Sequence, residues 1–168
     1  MGSFREGKEF VTGWIQAKVP KGSTCLDVGA CDGIWYDHLH DWLKMNAVEI
    51  YQPNIDRYRL CARYRNTWCA DILDFKYDWY DVIIFGDVIE HMTVEDAQKV
   101  LEYASPRCKE LIVAVPFLYR QGAAYGNRNE IHIQEDLTPE LFKERYPGFQ
   151  MIYQPLPNYA YYAKKAQE

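Results

Sequence analysis

Cys25-Leu26-Asp27-Val28-Gly29-Ala30-Cys31-Asp32-Gly33 reads as a buried apolar strand that runs directly into a glycine turn, with a helix opening at Ile34. A glycine turn at the carboxyl end of a strand lets backbone N–H groups approach a ligand closely, because no Cβ stands in the way. Sixteen residues beyond Gly33, Glu49 closes the apolar stretch Met45-Asn46-Ala47-Val48. Open α/β sheets that bind nucleotides place an acid about 20 residues past the first glycine, where it holds the ribose. The pattern predicts a nucleoside-bearing cofactor.

The segments on either side alternate between helix and strand. Phe10, Trp14 and Ile15 recur at helical spacing within residues 1–22, and Pro20-Lys21-Gly22 ends that helix. After the turn, Trp35, Leu39, Trp42 and Leu43 predict a second helix with one apolar side. A strand over about 46–51 stops at Gln52-Pro53, and Pro53 suits the start of the next helix. Trp68-Cys69-Ala70-Asp71-Ile72 predicts a third short strand, and Tyr80 to Phe85 a fourth, apolar on both faces as a central parallel strand is. Thr93-Val94-Glu95-Asp96 is a capping-box start for a helix whose buried stripe is Ala97, Val100, Leu101 and Ala104. Ser105-Pro106 stops it, and Leu111 to Val115 form a fifth strand. Residues 118–137 are polar, rich in Gly, Asn and Arg, and without apolar period, which predicts a long mobile loop. Thr138-Pro139-Glu140 begins a last helix, and strands over about 149–155 and 159–165 lie close enough for an antiparallel hairpin. The expected architecture is a single α/β domain over 1–168, a Rossmann-like doubly wound sheet that is mostly parallel and closes with an antiparallel hairpin strand.

Composition narrows the function. A chain of 168 residues with 48% hydrophobic content fits one domain with a sizeable core. A formal net charge of −5 argues against a broad phosphate-binding surface and so against duplex nucleic acid. The five cysteines are odd in number and lack CxxC spacing, the usage of reduced thiols in a cytoplasmic protein. No basic-then-apolar leader and no apolar run of membrane-spanning length is present, so no membrane association is expected. Tyr153, Tyr159, Tyr161 and Tyr162 fall within the closing hairpin, where alternating aromatics pack across strands instead of stacking on bases.

With these residues in place, the chain resembles class I S-adenosylmethionine-dependent methyltransferases over roughly residues 23–165. That family ends its first strand in an acid-x-Gly-x-Gly-x-Gly turn, here Asp27, Gly29, Cys31 and Gly33, with cysteine at the middle glycine. Asp87-Val88-Ile89-Glu90-His91 resembles the segment after strand four in small-molecule members. The resemblance implies S-adenosyl-L-methionine as cofactor, held by Asp27, Gly29, Ala30, Gly33, Glu49, Ile50, Asp71, Ile72 and Asp87. Glu49 would bond the ribose hydroxyls, Asp71 and Ile72 the adenine edge, and Asp87 would lie near the methionine end. His91 and His132 are the candidate catalytic bases, since imidazole titrates near neutral pH. Arg120, Tyr125 and Arg128 are candidates for substrate binding within a lid formed by 118–137, with Phe117 and Tyr119 as further walls. No metal is expected. The Asn/Asp-Pro-Pro-Tyr/Phe element of amide-nitrogen methylation and the Pro-Cys of cytosine C5 chemistry are both absent after strand four. A small-molecule acceptor is therefore expected, methylated on O or N. With about twenty residues ahead of the first strand, no capping domain is expected, and a homodimer, a partner protein or the lid must finish the acceptor pocket. Two other readings stand beside this one. A nicotinamide oxidoreductase would need glycines where Cys31 and Ile34 stand. A non-catalytic cofactor-binding or regulatory subunit would keep the crevice without chemistry.

Overall fold

The central strands are buried along most of their length, and successive side chains join two core layers in turn. In the computed structural model, which describes residues 4–124 and 126–164, Val82 and Ile84 face one side of the sheet while Ile83 and Phe85 face the other. The seven strands are β1 (Thr24–Val28), β2 (Lys44–Glu49), β3 (Thr67–Cys69), β4 (Tyr80–Gly86), β5 (Cys108–Pro116), β6 (Phe149–Leu156) and β7 (Tyr159–Lys164). They lie in the order β3-β2-β1-β4-β5-β7-β6. The first five are parallel, and β7 runs antiparallel to both of its neighbours. This is the doubly wound sheet with a closing hairpin that the sequence predicts.

Helices α1 (Lys8–Lys18), α2 (Ile34–Leu39), α3 (Gln52–Arg57) and α4 (Leu60–Arg63) pack Val11, Ile15, Trp35, Leu39, Ile55 and Leu60 on one face. Helices α5 (Val94–Ala104) and α6 (Pro139–Arg145) cover the other with Ala97, Val100, Leu101, Ala104 and Phe142. Both start on side-chain caps: Thr93 accepts from the Asp96 N–H, and Thr138 from the Leu141 N–H. In the hairpin, Tyr162 stacks on Phe142 with ring centroids 3.6 Å apart. Strand order reverses between β1 and β4, so the crevice at their carboxyl ends is the place where such sheets bind ligands.

Several local expectations need correction. Phe10 is exposed and stacks on Tyr153; the buried stripe of α1 is Lys8, Val11 and Ile15. Helix α2 ends at Leu39, leaving Trp42 and Leu43 in the turn before β2. Strand β3 stops at Cys69, which puts Asp71 and Ile72 in the turn that follows. Cys25 and Cys108 are buried, but Cys61 and Cys69 are exposed. The segment 118–137 is fastened along its second half. Ile133 and Gln134 donate backbone N–H bonds to the Glu90 carbonyl, and the buried Gln134 amide donates to the Ile89 and Met92 carbonyls. It shows no apolar period because a buried amide and one leucine, Leu137, anchor it in place of a hydrophobic stripe. Among the described residues no helix is long and apolar enough to cross a membrane.

Candidate functional site

The turn after β1 takes left-handed backbone three times, at Gly29 (φ +68), Cys31 (φ +44) and Gly33 (φ +76). A Cβ on Gly29 would lie 2.6 Å from Val88 Cγ2, so only glycine fits between the turn and the segment after β4. Arg63 closes the other side by donating to the Asp32 carbonyl at 2.7 Å and the Gly33 carbonyl at 2.9 Å. The Cys31 N–H donates to Glu49 Oε2 at 2.8 Å, and the Tyr51 N–H donates to Glu49 Oε1 at 2.9 Å. Glu49 thus ties the turn to the end of β2. The Asn54 side chain also donates to this carboxylate, whose two oxygens offer about four lone-pair sites in all. Burial pushes the Glu49 pKa up, against the two backbone donors that lower it.

Asp71 orders its own turn, its Oδ1 accepting from the Leu73 N–H at 2.9 Å. Gly29, Glu49, Ile50, Asp71, Ile72 and His91 all line one cavity of about 230 Å³. The loop supplies its remaining wall through Asn127, Asn129, Glu130 and Ile133, none of which the sequence singles out. Loop polarity gives no period by which to pick them out.

Asp27, Ala30, Gly33 and Asp87 are not part of that lining. Asp27 is fully buried, and its Oδ2 accepts from the Tyr64 hydroxyl at 2.6 Å while Oδ1 has no hydrogen-bond partner. Burial pushes its pKa up to about 7. Asp87 is held at φ +57 and accepts from the Tyr159 hydroxyl at 2.8 Å. Lys8 is a further residue that the sequence alone does not bring to the site. Its Nζ sits 4.3 Å from the Trp35 ring centroid and donates to the Tyr161 hydroxyl at 3.3 Å. Burial lowers its pKa to about 8, and the charges of Asp87 and Asp27 oppose that fall. The available signal was spacing: Lys8 shares the 3- and 4-residue intervals of Val11 and Ile15.

His91 and His132, remote in sequence, come together with ring centroids 4.7 Å apart at 79°. Burial holds His91 down to about 4, with the His132 ring adding to the fall, and burial likewise lowers His132. Arg120 pairs with Glu135 at 3.1 Å on the exposed surface, and Arg128 is exposed; neither lines the cavity. The reason is local: both side chains find solvent or an acid outside the crevice. Phe117 is a core residue packed edge-on to Tyr162, and Tyr119 packs against Phe4 and His132. Tyr125 lies outside the described residues.

No family model matches this chain, and no curated protein matches it. Solved structures do resemble it. An S-adenosylmethionine-dependent methyltransferase from Clostridium acetobutylicum aligns with TM-score 0.71 at 12% identity, over 98% of this chain and 92% of that one. DhpI, solved in a complex with SAM and HEP, aligns with TM-score 0.71 at 12% identity, over 94% of this chain and 85% of its own. The plantazolicin methyltransferase BpumL, solved in complex with SAH, aligns with TM-score 0.69 at 13% identity, over 96% and 83%. At these identities the likeness is one of fold: the chain has the sheet and winding of class I methyltransferases.

Proposed function

We propose that this protein is an S-adenosylmethionine-dependent methyltransferase acting on an O or N atom of a small molecule. The observation that carries the reading is the convergence of a glycine cradle and two acids, Gly29, Glu49 and Asp71, from successive strand ends onto one cavity. Its fit to an adenosyl group rests on three features: the Gly29 position that a Cβ would fill, the Glu49 carboxylate held in the cavity wall, and the Asp71–Ile72 turn in the same lining. Solved proteins of the same fold that carry SAM or SAH add support.

When bound, S-adenosylmethionine supplies a methyl group already activated on a sulfonium, so the protein's task is orientation and exclusion of water. Glu49 would accept the ribose hydroxyls, and Asp71 with the Ile72 N–H would take the adenine edge. Buried Lys8 near Asp27 and Asp87 marks the charged end, suited to an amino-acid tail. His91 lines the cavity and His132 packs against it, and this pair would handle the acceptor's proton. Asn127, Asn129 and Glu130 of the loop join His91 in that lining.

Calorimetric titration with S-adenosylhomocysteine tests the reading. The wild type should bind it, and Glu49→Ala should lose at least about tenfold in affinity, since hydrogen bonds to a charged group are each worth about 1.5–3 kcal/mol. Glu49→Gln, which keeps the side chain's length, should lose less than Ala. No heat of binding with the wild type would overturn the assignment. Binding with no methyl transfer across an acceptor panel would favour a regulatory subunit.

A further inference from the structure

We infer that Glu90, His91 and His132 form a binding site for one divalent transition-metal cation beside the cavity, whose lining His91 alone of the three joins. Glu90 and His91 come from the 3₁₀ turn Ile89–His91 that follows β4, and His132 from the fastened loop. One ligand atom from each lies within 4.8 Å of the others, so small side-chain rotations bring all three to a common centre.

The decisive feature is Glu90. Its side chain is 1% exposed, yet neither carboxylate oxygen has a hydrogen-bond partner among the described residues. His91 Nε2 lies 3.9 Å from Oε1, beyond hydrogen-bond distance. A buried carboxylate left this way costs several kcal/mol unless it is protonated or meets a cation. The negative groups Asp87 and Glu130 also face this cluster and deepen its need for a cation.

The imidazoles are oriented as ligands. His91 Nδ1 lies 3.2 Å from the Ile131 carbonyl and His132 Nδ1 2.8 Å from the Tyr119 carbonyl. A carbonyl only accepts, so Nδ1 carries the proton in each ring and Nε2 keeps the lone pair. This is the outer-sphere arrangement that fixes metal-bound histidines. Two imidazoles and one carboxylate suit a first-row ion such as Mn²⁺, Fe²⁺, Co²⁺ or Zn²⁺. An ion held there would supply Lewis acidity, lowering the pKa of a hydroxyl brought to it. The metal site stands on these side chains; its role in activating a hydroxyl acceptor rests on the methyltransferase reading.

The test uses tag-free full-length protein stripped of metal, titrated with Co²⁺ without any S-adenosyl compound and followed by visible absorption. A d–d spectrum saturating at one equivalent is expected. Glu90→Gln, His91→Ala and His132→Ala should each weaken Co²⁺ binding at least about tenfold, the loss that even an outer partner of a ligand causes, while His40→Ala should not. No saturable spectrum, or one that the three variants leave unchanged, overturns the site. Should the variants fail to fold, ¹⁵N-histidine spectra of the wild type with Zn²⁺ decide. Shifts confined to His91 and His132 support the site, and shifts at His38 or His40 alone refute it. Cobalt binding with no binding of S-adenosylhomocysteine would overturn the methyltransferase reading and leave the metal site standing; the reverse result would do the opposite.

Discussion

Cys31 occupies left-handed backbone between two glycines that take the same conformation. For a residue with a Cβ that geometry costs about 1–2 kcal/mol, so the chain tolerates strain at the centre of its ligand turn. The thiol offers little in return: burial pushes its pKa to about 12, and it accepts only a long hydrogen bond, 3.8 Å from the Asn54 amide. Cys31→Gly should therefore relieve the strain. Glycine also loses about 0.5–1 kcal/mol more conformational entropy on folding, which leaves a net change between zero and about 1.5 kcal/mol of stabilisation. A β-branched Cys31→Val should instead lose more than about 1 kcal/mol. Urea midpoints at constant slope measure both. A clearly destabilised glycine variant would mean that the cysteine side chain matters more than its backbone.

At the level of elements, the acceptor side depends on how segment 118–137 is tied to the sheet. Gln134 makes that tie. Its amide donates to the Ile89 carbonyl at 2.8 Å and the Met92 carbonyl at 3.2 Å, and its oxygen accepts from the Tyr146 hydroxyl at 2.9 Å. One side chain thus connects the loop, the turn bearing Glu90 and His91, and the end of α6. Gln134→Ala takes a donor from the Met92 carbonyl and the acceptor from the Tyr146 hydroxyl, at about 1–3 kcal/mol for each group left unpaired, while the Ile89 carbonyl keeps the Met92 N–H. Opening of the loop should become at least about tenfold more frequent, since 1.4 kcal/mol is a factor of ten. Proteolysis of a transiently open segment follows that population. Trypsin should therefore cut after Arg120 and Arg128 correspondingly faster than in the wild type. Equal cutting rates would show that other contacts hold the loop.

Across the whole molecule, the features legible in the sequence are those carried by local spacing. The apolar run Val82 to Phe85, the caps Thr93 and Thr138, and the glycine-to-acid interval ending at Glu49 each decide an element or a site residue from neighbours alone. What the sequence hides is made by long-range contacts. Lys8 meets Tyr161 across 153 residues, Gln134 meets Ile89 across 45, and His91 meets the Ile131 carbonyl across 40. No window contains both partners. The same folding concentrates buried carboxyl groups beneath the crevice, and this sets how global stability depends on pH. Asp27 rises from an ordinary value of 3.8 to about 7, driven by burial, while the Tyr64 hydroxyl and Lys8 oppose the rise and Glu49 and Asp32 add to it. Between those two values the native chain keeps a proton that the unfolded chain has released. Stability from this group is therefore complete below 3.8 and is lost as pH climbs towards about 7. Lys8 adds no slope in that window, because its native pKa of about 8 lies above it and both states are charged there. The loss amounts to a few kcal/mol, since each tenfold difference in proton affinity between the two states is worth about 1.4 kcal/mol. His91, lowered by burial from 6.5 to about 4, contributes stability that grows as pH rises between those values, so the readout is the difference between the wild type and Asp27→Asn. Because the variant is neutral throughout, the wild type's urea midpoint should fall relative to the variant's between pH 5 and pH 7.5. Equal pH slopes for the two proteins would place the native carboxyl of Asp27 in its charged form.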